Sequence, residues 1–211
     1  MSKYKCIIFD CDGVLINSES IAIKVLVDMA NDLGANIDFQ ESLINLKGKS
    51  LNLCMNVISK RINNPLPVHF EQDYRINTFE AFRKGIQPIN GIKDIVENLN
   101  IPFCVASSGP ENKIRLNLEI TGLLPFFEGN IFSCYAIQKW KPEPDIFLWA
   151  AKSMGFKPNE CLVIEDSVSG VKAAKFGGFD VYGYTEHDYN NELEALATKT
   201  FDSMDVLLGM L

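Results

Sequence analysis

Histidine is nearly absent: the 211 residues hold two, His69 and His187. They form no His-x-x-His or His-Glu-x-x-His pattern, so the sequence offers no zinc-ligand set. Six cysteines are present, Cys6, Cys11, Cys54, Cys104, Cys134 and Cys161, with no Cys-x-x-Cys pair among them. Cys6, Cys104 and Cys161 lie in apolar runs, and the set is expected to be reduced, buried small hydrophobes. No stretch approaches ~18 continuous apolar residues, so no membrane-spanning helix is expected. Met1 to Lys5 is followed by only four apolar residues before Asp10. That run is too short for the core of a signal peptide, and a cytoplasmic location is expected. No Gly-x-Gly-x-x-Gly occurs, which leaves dinucleotide binding without support. Gly48-Lys49-Ser50 has the ending of a phosphate loop, but Leu43 stands where that loop needs glycine. Positive charge is in deficit, with 20 Lys+Arg against 27 Asp+Glu and a net charge of -7. Such a chain lacks the basic face of a nucleic-acid binder or of a protein held at an anionic membrane. A small anionic substrate would need a local positive site or a metal.

What is present is enough to build a core. Hydrophobic residues make up 47% of the chain and phenylalanine alone numbers 14, which excludes disorder. The length fits one domain, or one domain with a small addition. Apolar runs of strand type occur at 5–9, 103–106, 161–164 and 180–184, with a weaker one at 131–134. They are near-continuous rather than alternating, as in parallel strands buried on both faces. Helical patterns separate them at 91–100, 110–121, 144–155 and 167–177. Pro110 and Pro144 fit first helical turns, Ser167 or Ser169 fits a cap, and Gly177-Gly178 fits a stop. This alternation predicts an α/β, Rossmann-like, doubly wound parallel sheet.

Residues 16–85 break the alternation and hold no convincing strand. Ile21, Val25, Met29 and Leu33 form one helical stripe, Leu51, Met55 and Ile58 a second, and Phe70, Tyr74 and Phe79-Phe82 a third. The expected organisation is therefore a core from residues 1–15 and 86–211, with an inserted helical domain at 16–85.

Four short motifs carry chemistry. Asp10-Cys11-Asp12-Gly13 follows the first strand, and ligands of open parallel sheets bind beyond strand carboxyl ends. Glu165-Asp166 follows the strand at 161–164. Four acids at two strand ends would repel without a cation, and Mg²⁺ takes carboxylates, water and phosphate oxygens. Ser107-Ser108-Gly109 follows the strand at 103–106 and could hold a phosphoryl group through a hydroxyl and backbone N–H groups. Lys141, in Lys141-Pro142-Glu143-Pro144-Asp145, could neutralise both phosphate and carboxylate. Each has a structural reading as well: an Asx turn at Asp10–Gly13, helix caps at Asp166 and Ser107, and a solvated loop lysine at 141.

In their order, DCDGV, VASSG, KPEPDIF and VIEDSVSG resemble the haloacid dehalogenase superfamily, in its branch of small-molecule phosphatases and β-phosphoglucomutase-like proteins. Within that branch SSGPENK and IQKWKPEP are similar to bacterial 6-phosphogluconate phosphatases. The resemblance implies a Rossmann-like core with a helical cap inserted after the first strand. It implies Asp10 as nucleophile and Asp12 as general acid/base. It places Mg²⁺ on Asp10, the Asp12 carbonyl and Asp166, with Glu165 direct or through water. Ser107, Ser108 and Lys141 would bind the phosphoryl group of a small phosphomonoester. Lys47 and Lys49 are candidates for an anionic substrate contact, with a solvated loop as the other reading. A monomer or weak oligomer is expected. Ala22 and Leu51 stand where β-phosphoglucomutases carry a histidine and a phosphate-gripping arginine, which disfavours the mutase alternative. A receiver-type phospho-aspartate switch is a non-enzymatic alternative, but such domains are much shorter and place the acceptor after a middle strand.

Overall fold

Cys-Ile-Ile-Phe at the start of the chain has no polar face to offer solvent, and all four residues are buried. They form β1 (Cys6–Phe9), the centre of a parallel sheet. The other strands are β2 (Phe103–Ser107), β3 (Ile131–Ser133), β4 (Cys161–Glu165), β5 (Asp180–Tyr184) and β6 (Lys199–Phe201). The spatial order is β3-β2-β1-β4-β5-β6, and every pair is parallel. The computed structural model describes residues 3–47, 49, 51–188 and 190–211. Met1 and Ser2 of the N-terminal reading, and Gly48 and Ser50 of the rejected phosphate-loop triplet, lie outside these.

The chain divides into two compact units, Met1–Asn17 with Gln87–Leu211, and Ser18–Ile86. In the first, the helices are α5 (Ile92–Asn98), α6 (Glu111–Ile120), α7 (Leu124–Phe127), α8 (Cys134–Ile137), α9 (Asp145–Ser153), α10 (Val168–Phe176) and α11 (Met204–Met210). Cys6 and Ile8 face one side of the sheet and join Cys104, Cys161, Val163 and Val181 in a core with Phe147 and Ala150 of α9 and Val171 and Ala174 of α10. Phe9 makes edge-on contacts with Phe103 and Phe127, at ring-centroid distances of 6.1 and 6.2 Å. All six cysteines are buried and free. From β1 the chain builds outward through β2 and β3, then returns to the far side of β1 to lay down β4, β5 and β6. The reversal falls between β1 and β4, and a crevice opens at the carboxyl ends of strands at such a switch point.

The second unit holds α1 (Glu19–Asp32), α2 (Phe39–Leu46), α3 (Leu51–Ile62) and α4 (Phe70–Gly85). Its core joins Leu26, Ala30, Ala35, Leu46, Cys54, Ile58 and Phe70. The buried face of α1 is Ile23, Leu26, Val27 and Ala30, not the predicted stripe, and Leu33 is exposed beyond the helix end. The segment Ile-Ala-Ile-Lys-Val-Leu-Val is apolar on most sides, so packing against α2 and α4 chooses the face. The sequence reading also passes over α2, α7, α8, β6 and α11. Pro110 and Pro144 occupy the cap positions one residue before their helices. Among the described residues no helix is long and apolar enough to cross a membrane.

Asn117 on α6 is fully buried, yet neither atom of its amide meets a hydrogen-bonding group among the described residues. An unsatisfied buried polar group costs about 1–3 kcal/mol. Asn117→Leu is therefore expected to raise the thermal midpoint by several degrees. A lower midpoint in a calorimetric scan would show that the amide is satisfied where it is.

Candidate active site

The ladder between β1 and β4 runs one residue past both strands' apolar cores. The Asp10 N–H donates to the Ile164 carbonyl at 2.9 Å, which pins Asp10 beside the end of β4. The chain then turns sharply. The Leu15 and Ile16 N–H groups both donate to the Cys11 carbonyl at 3.0 Å, and the Gly13 N–H donates to Ile16 at 2.8 Å. Gly13 has φ of +89°, a left-handed conformation that favours glycine. A β-carbon there would also stand 2.0 Å from Asp166 Oδ2. Gly13 thus serves two ends at once, the turn itself and the close approach of Asp166.

At the end of β4, Glu165 is completely buried. Its Oε2 accepts from the Ser167 N–H and Oγ, both at 2.9 Å. Ser167, rather than Asp166, caps α10 by accepting from the Gly170 N–H. A β-carbon at Gly170 would fall 1.7 Å from Glu165 Oε1, so the helix can pass over the carboxylate only with glycine there.

Lys141 is no solvated loop residue. Its side chain is 4% exposed. The ammonium donates to Asp10 Oδ1 at 2.5 Å, Glu165 Oε1 at 2.6 Å and the Ala106 carbonyl at 3.3 Å. Three acceptors match its three protons. The Phe147 ring lies beneath it, 4.8 Å from the nitrogen to the centroid. Burial pushes the Asp10 carboxyl up to about 7, with Glu165 and Asp12 adding to the rise and Lys141 opposing it. Burial also works against the Lys141 charge, but the Asp10 and Glu165 carboxylates outweigh it and hold the ammonium protonated.

Ser107 closes β2 and is buried. Its Oγ accepts from the Gly109 N–H at 3.0 Å, while Ser133 Oγ donates to the Gly109 carbonyl at 2.7 Å. These bonds hold the Ser107–Gly109 loop between β2 and β3. Ser108 is exposed, with its hydroxyl 4.0 Å from Cys134 Sγ. Asp12 receives Lys113 of α6, whose ammonium lies 2.8 Å from each carboxylate oxygen. The sequence reading missed Lys113 and Phe147. The signal for Lys113 was a lysine in the first turn of a helix, where the dipole disfavours a cation.

Oxygens of Asp10, Glu165 and Asp166 lie within 4.8 Å of one another. With Asp12, four carboxylates meet two ammonium groups, which leaves two negative charges uncompensated if all are ionised. The donor set is all oxygen, with no nitrogen or sulfur, and suits a hard divalent cation such as Mg²⁺. Lys47 and Lys49 belong to the second unit. Lys47 follows α2 and pairs with Glu19 at 3.2 Å, and Lys49 is exposed.

A family model described as haloacid dehalogenase-like hydrolase matches residues 7–184. The 6-phosphogluconate phosphatase of Escherichia coli is 29% identical over 98% of this chain and 94% of its own. The fructose-1-phosphate phosphatase of the same organism is 25% identical over 84% of this chain and 95% of its own. A solved haloacid dehalogenase-like protein of unknown function from Agrobacterium tumefaciens has a TM-score of 0.90 at 28% identity, over 98% of this chain and 97% of that one. The matched span runs from the second residue of β1 to the last of β5 and takes in the acids at both strand ends, Ser107 and Lys141: the chain belongs to the haloacid dehalogenase-like hydrolase family.

Proposed function

We propose that the protein is a Mg²⁺-dependent phosphatase that hydrolyses a small phosphomonoester through an aspartyl phosphate on Asp10. The observation that carries the reading is the buried Asp10–Lys141–Glu165 group, with Asp166 beside it, at the sheet's switch point. A carboxylate set against a buried cation, at the open end of a strand, is suited to attack phosphorus and to have its charge managed as it does so.

In the first half-reaction an Asp10 oxygen bonds to phosphorus, the ester P–O bond breaks, and the departing alkoxide takes a proton from Asp12. In the second, water attacks the same phosphorus and gives its proton to Asp12. The bond to Asp10 then breaks, inorganic phosphate leaves and the carboxylate is restored. Lys141 reaches phosphoryl oxygens next to Asp10, and Ser107 with the N–H groups of its loop holds another. Asp10, the Asp12 carbonyl and Asp166 would hold the metal. Glu165 completes the carboxylate group while anchoring Lys141. When bound, Mg²⁺ offsets charge on the phosphoryl oxygens. Ser108 is exposed at the loop's tip and would meet the substrate from outside.

Both named relatives act, by their names, on sugar phosphates. A sugar phosphate is the proposed substrate class, with 6-phosphogluconate the first candidate. Lys47 and Lys49 are proposed contacts for its carboxylate, with Lys47 leaving Glu19 to make one.

Phosphate release from a panel of phosphorylated sugars is expected to require Mg²⁺, to vanish on exhaustive chelation and to return when the metal is restored. Activity that persists after chelation would remove the metal from the proposal. Release from β-glucose 1-phosphate slower than its isomerisation would turn the reading to the mutase.

Asp10→Asn is expected to lower kcat by at least about 10³-fold and to keep a cooperative melt, since the residue sits beyond the strand. Mass spectrometry should find a phosphoryl adduct on the wild type and none on the variant. Turnover retained by Asp10→Asn would replace the covalent route with direct attack by water.

A further inference from the structure

Lys113 lies 101 residues from Asp12 in sequence, yet its ammonium meets both oxygens of that carboxylate at 2.8 Å. Both side chains are 23% exposed. An ammonium shared by both oxygens restrains both side-chain torsions of the carboxylate. The backbone of Asp12 is fixed by its bridge to Ile16, and the ammonium adds a hold on the side chain.

The surroundings are built for this contact. Lys113 is the third residue of α6, a position where the helix dipole disfavours a cation, so the lysine is not placed there by its helix. Its stem crosses Gly109. A β-carbon at Gly109 would lie 3.5 Å from Lys113 Cδ and 3.8 Å from Asp12 Oδ2. The loop that carries Ser107 therefore runs directly under the Lys113–Asp12 pair.

Resting on the phosphatase reading, we propose that Lys113 is a positioning residue that holds the Asp12 carboxylate aimed at the leaving-group oxygen, and so sets the rate of the proton-coupled step. It acts through Asp12 and touches neither the phosphorus nor the attacking oxygen. Its effect is thus tied to how much help the leaving group needs.

The test compares two substrates and a double variant. Lys113→Met is expected to lower kcat for an alkyl phosphate by about 10- to 100-fold, within the range that proton transfer by a positioned group contributes, with KM changed little. The loss on p-nitrophenyl phosphate, whose leaving group departs without a proton, should be several-fold smaller. Lys113→Arg keeps the cation and should recover much of the loss, and it serves as the probe if the methionine variant does not fold. In an Asp12→Ala background Lys113→Met should cause no further loss, because the two residues act as one unit. Equal losses on both substrates, or losses that add in the double variant, would overturn the proposal and leave the phosphatase reading in place. No phosphate release by the wild type would overturn the reading and the proposal together.

Discussion

One buried ammonium organises the site. Lys141 sits almost out of contact with water, and a charge there persists only when every proton has an acceptor. Its acceptors come from three adjacent strands: Ala106 in β2, Asp10 after β1 and Glu165 in β4. The strand order brings them together. The order β2-β1-β4 is what the crossover at β3 creates, and the register Phe9 to Ile164 then sets Asp10 beside the end of β4. Site and topology are in this sense one constraint.

The acidic balance of the chain makes the local arrangement more telling. A protein of net charge -7 that handles a phosphate must reverse its own field over a few ångströms. Lys141 and Lys113 do so at the two oxygen-bearing partners of the proposed chemistry, Asp10 and Asp12. Glu165 holds the first lysine in place with one oxygen while Ser167 fixes the other. The glycines at 13 and 170 make room for carboxylates, each standing where a β-carbon would collide with one.

The parts of this that could be read from sequence share a physical trait: they are local. Continuous apolar runs announced β1, β2, β4 and β5 because strands buried on both faces leave no polar alternation. Asp10, Asp12, Glu165 and Asp166 were visible because they stop such runs. What could not be read depends on distant packing. The segment Lys-Thr-Phe of β6 is three residues long with one buried position, too little for a pattern. The buried face of α1 follows from α2 and α4. Lys141 could be read as solvated until the sheet order put three acceptors around it, and Lys113 had no visible partner because Asp12 lies in another motif. Lys47 met an acid of its own unit, Glu19, which spacing alone did not suggest.

The connection between β1 and the rest of the sheet has a modular consequence. The chain leaves at Leu15–Asn17 and returns at Gln87–Ile89, and the two passages are stitched together. Asn17 N–H donates to Gln87, Ile89 N–H donates to Leu15, and Ile16 bridges Pro88 in antiparallel fashion. Whatever lies between has its ends already joined, so lengthening or replacing it adds only a slowly growing, logarithmic loop-closure term. The stitched neck lets evolution exchange the inserted helices wholesale while the strand-end acids and Lys141 keep their register.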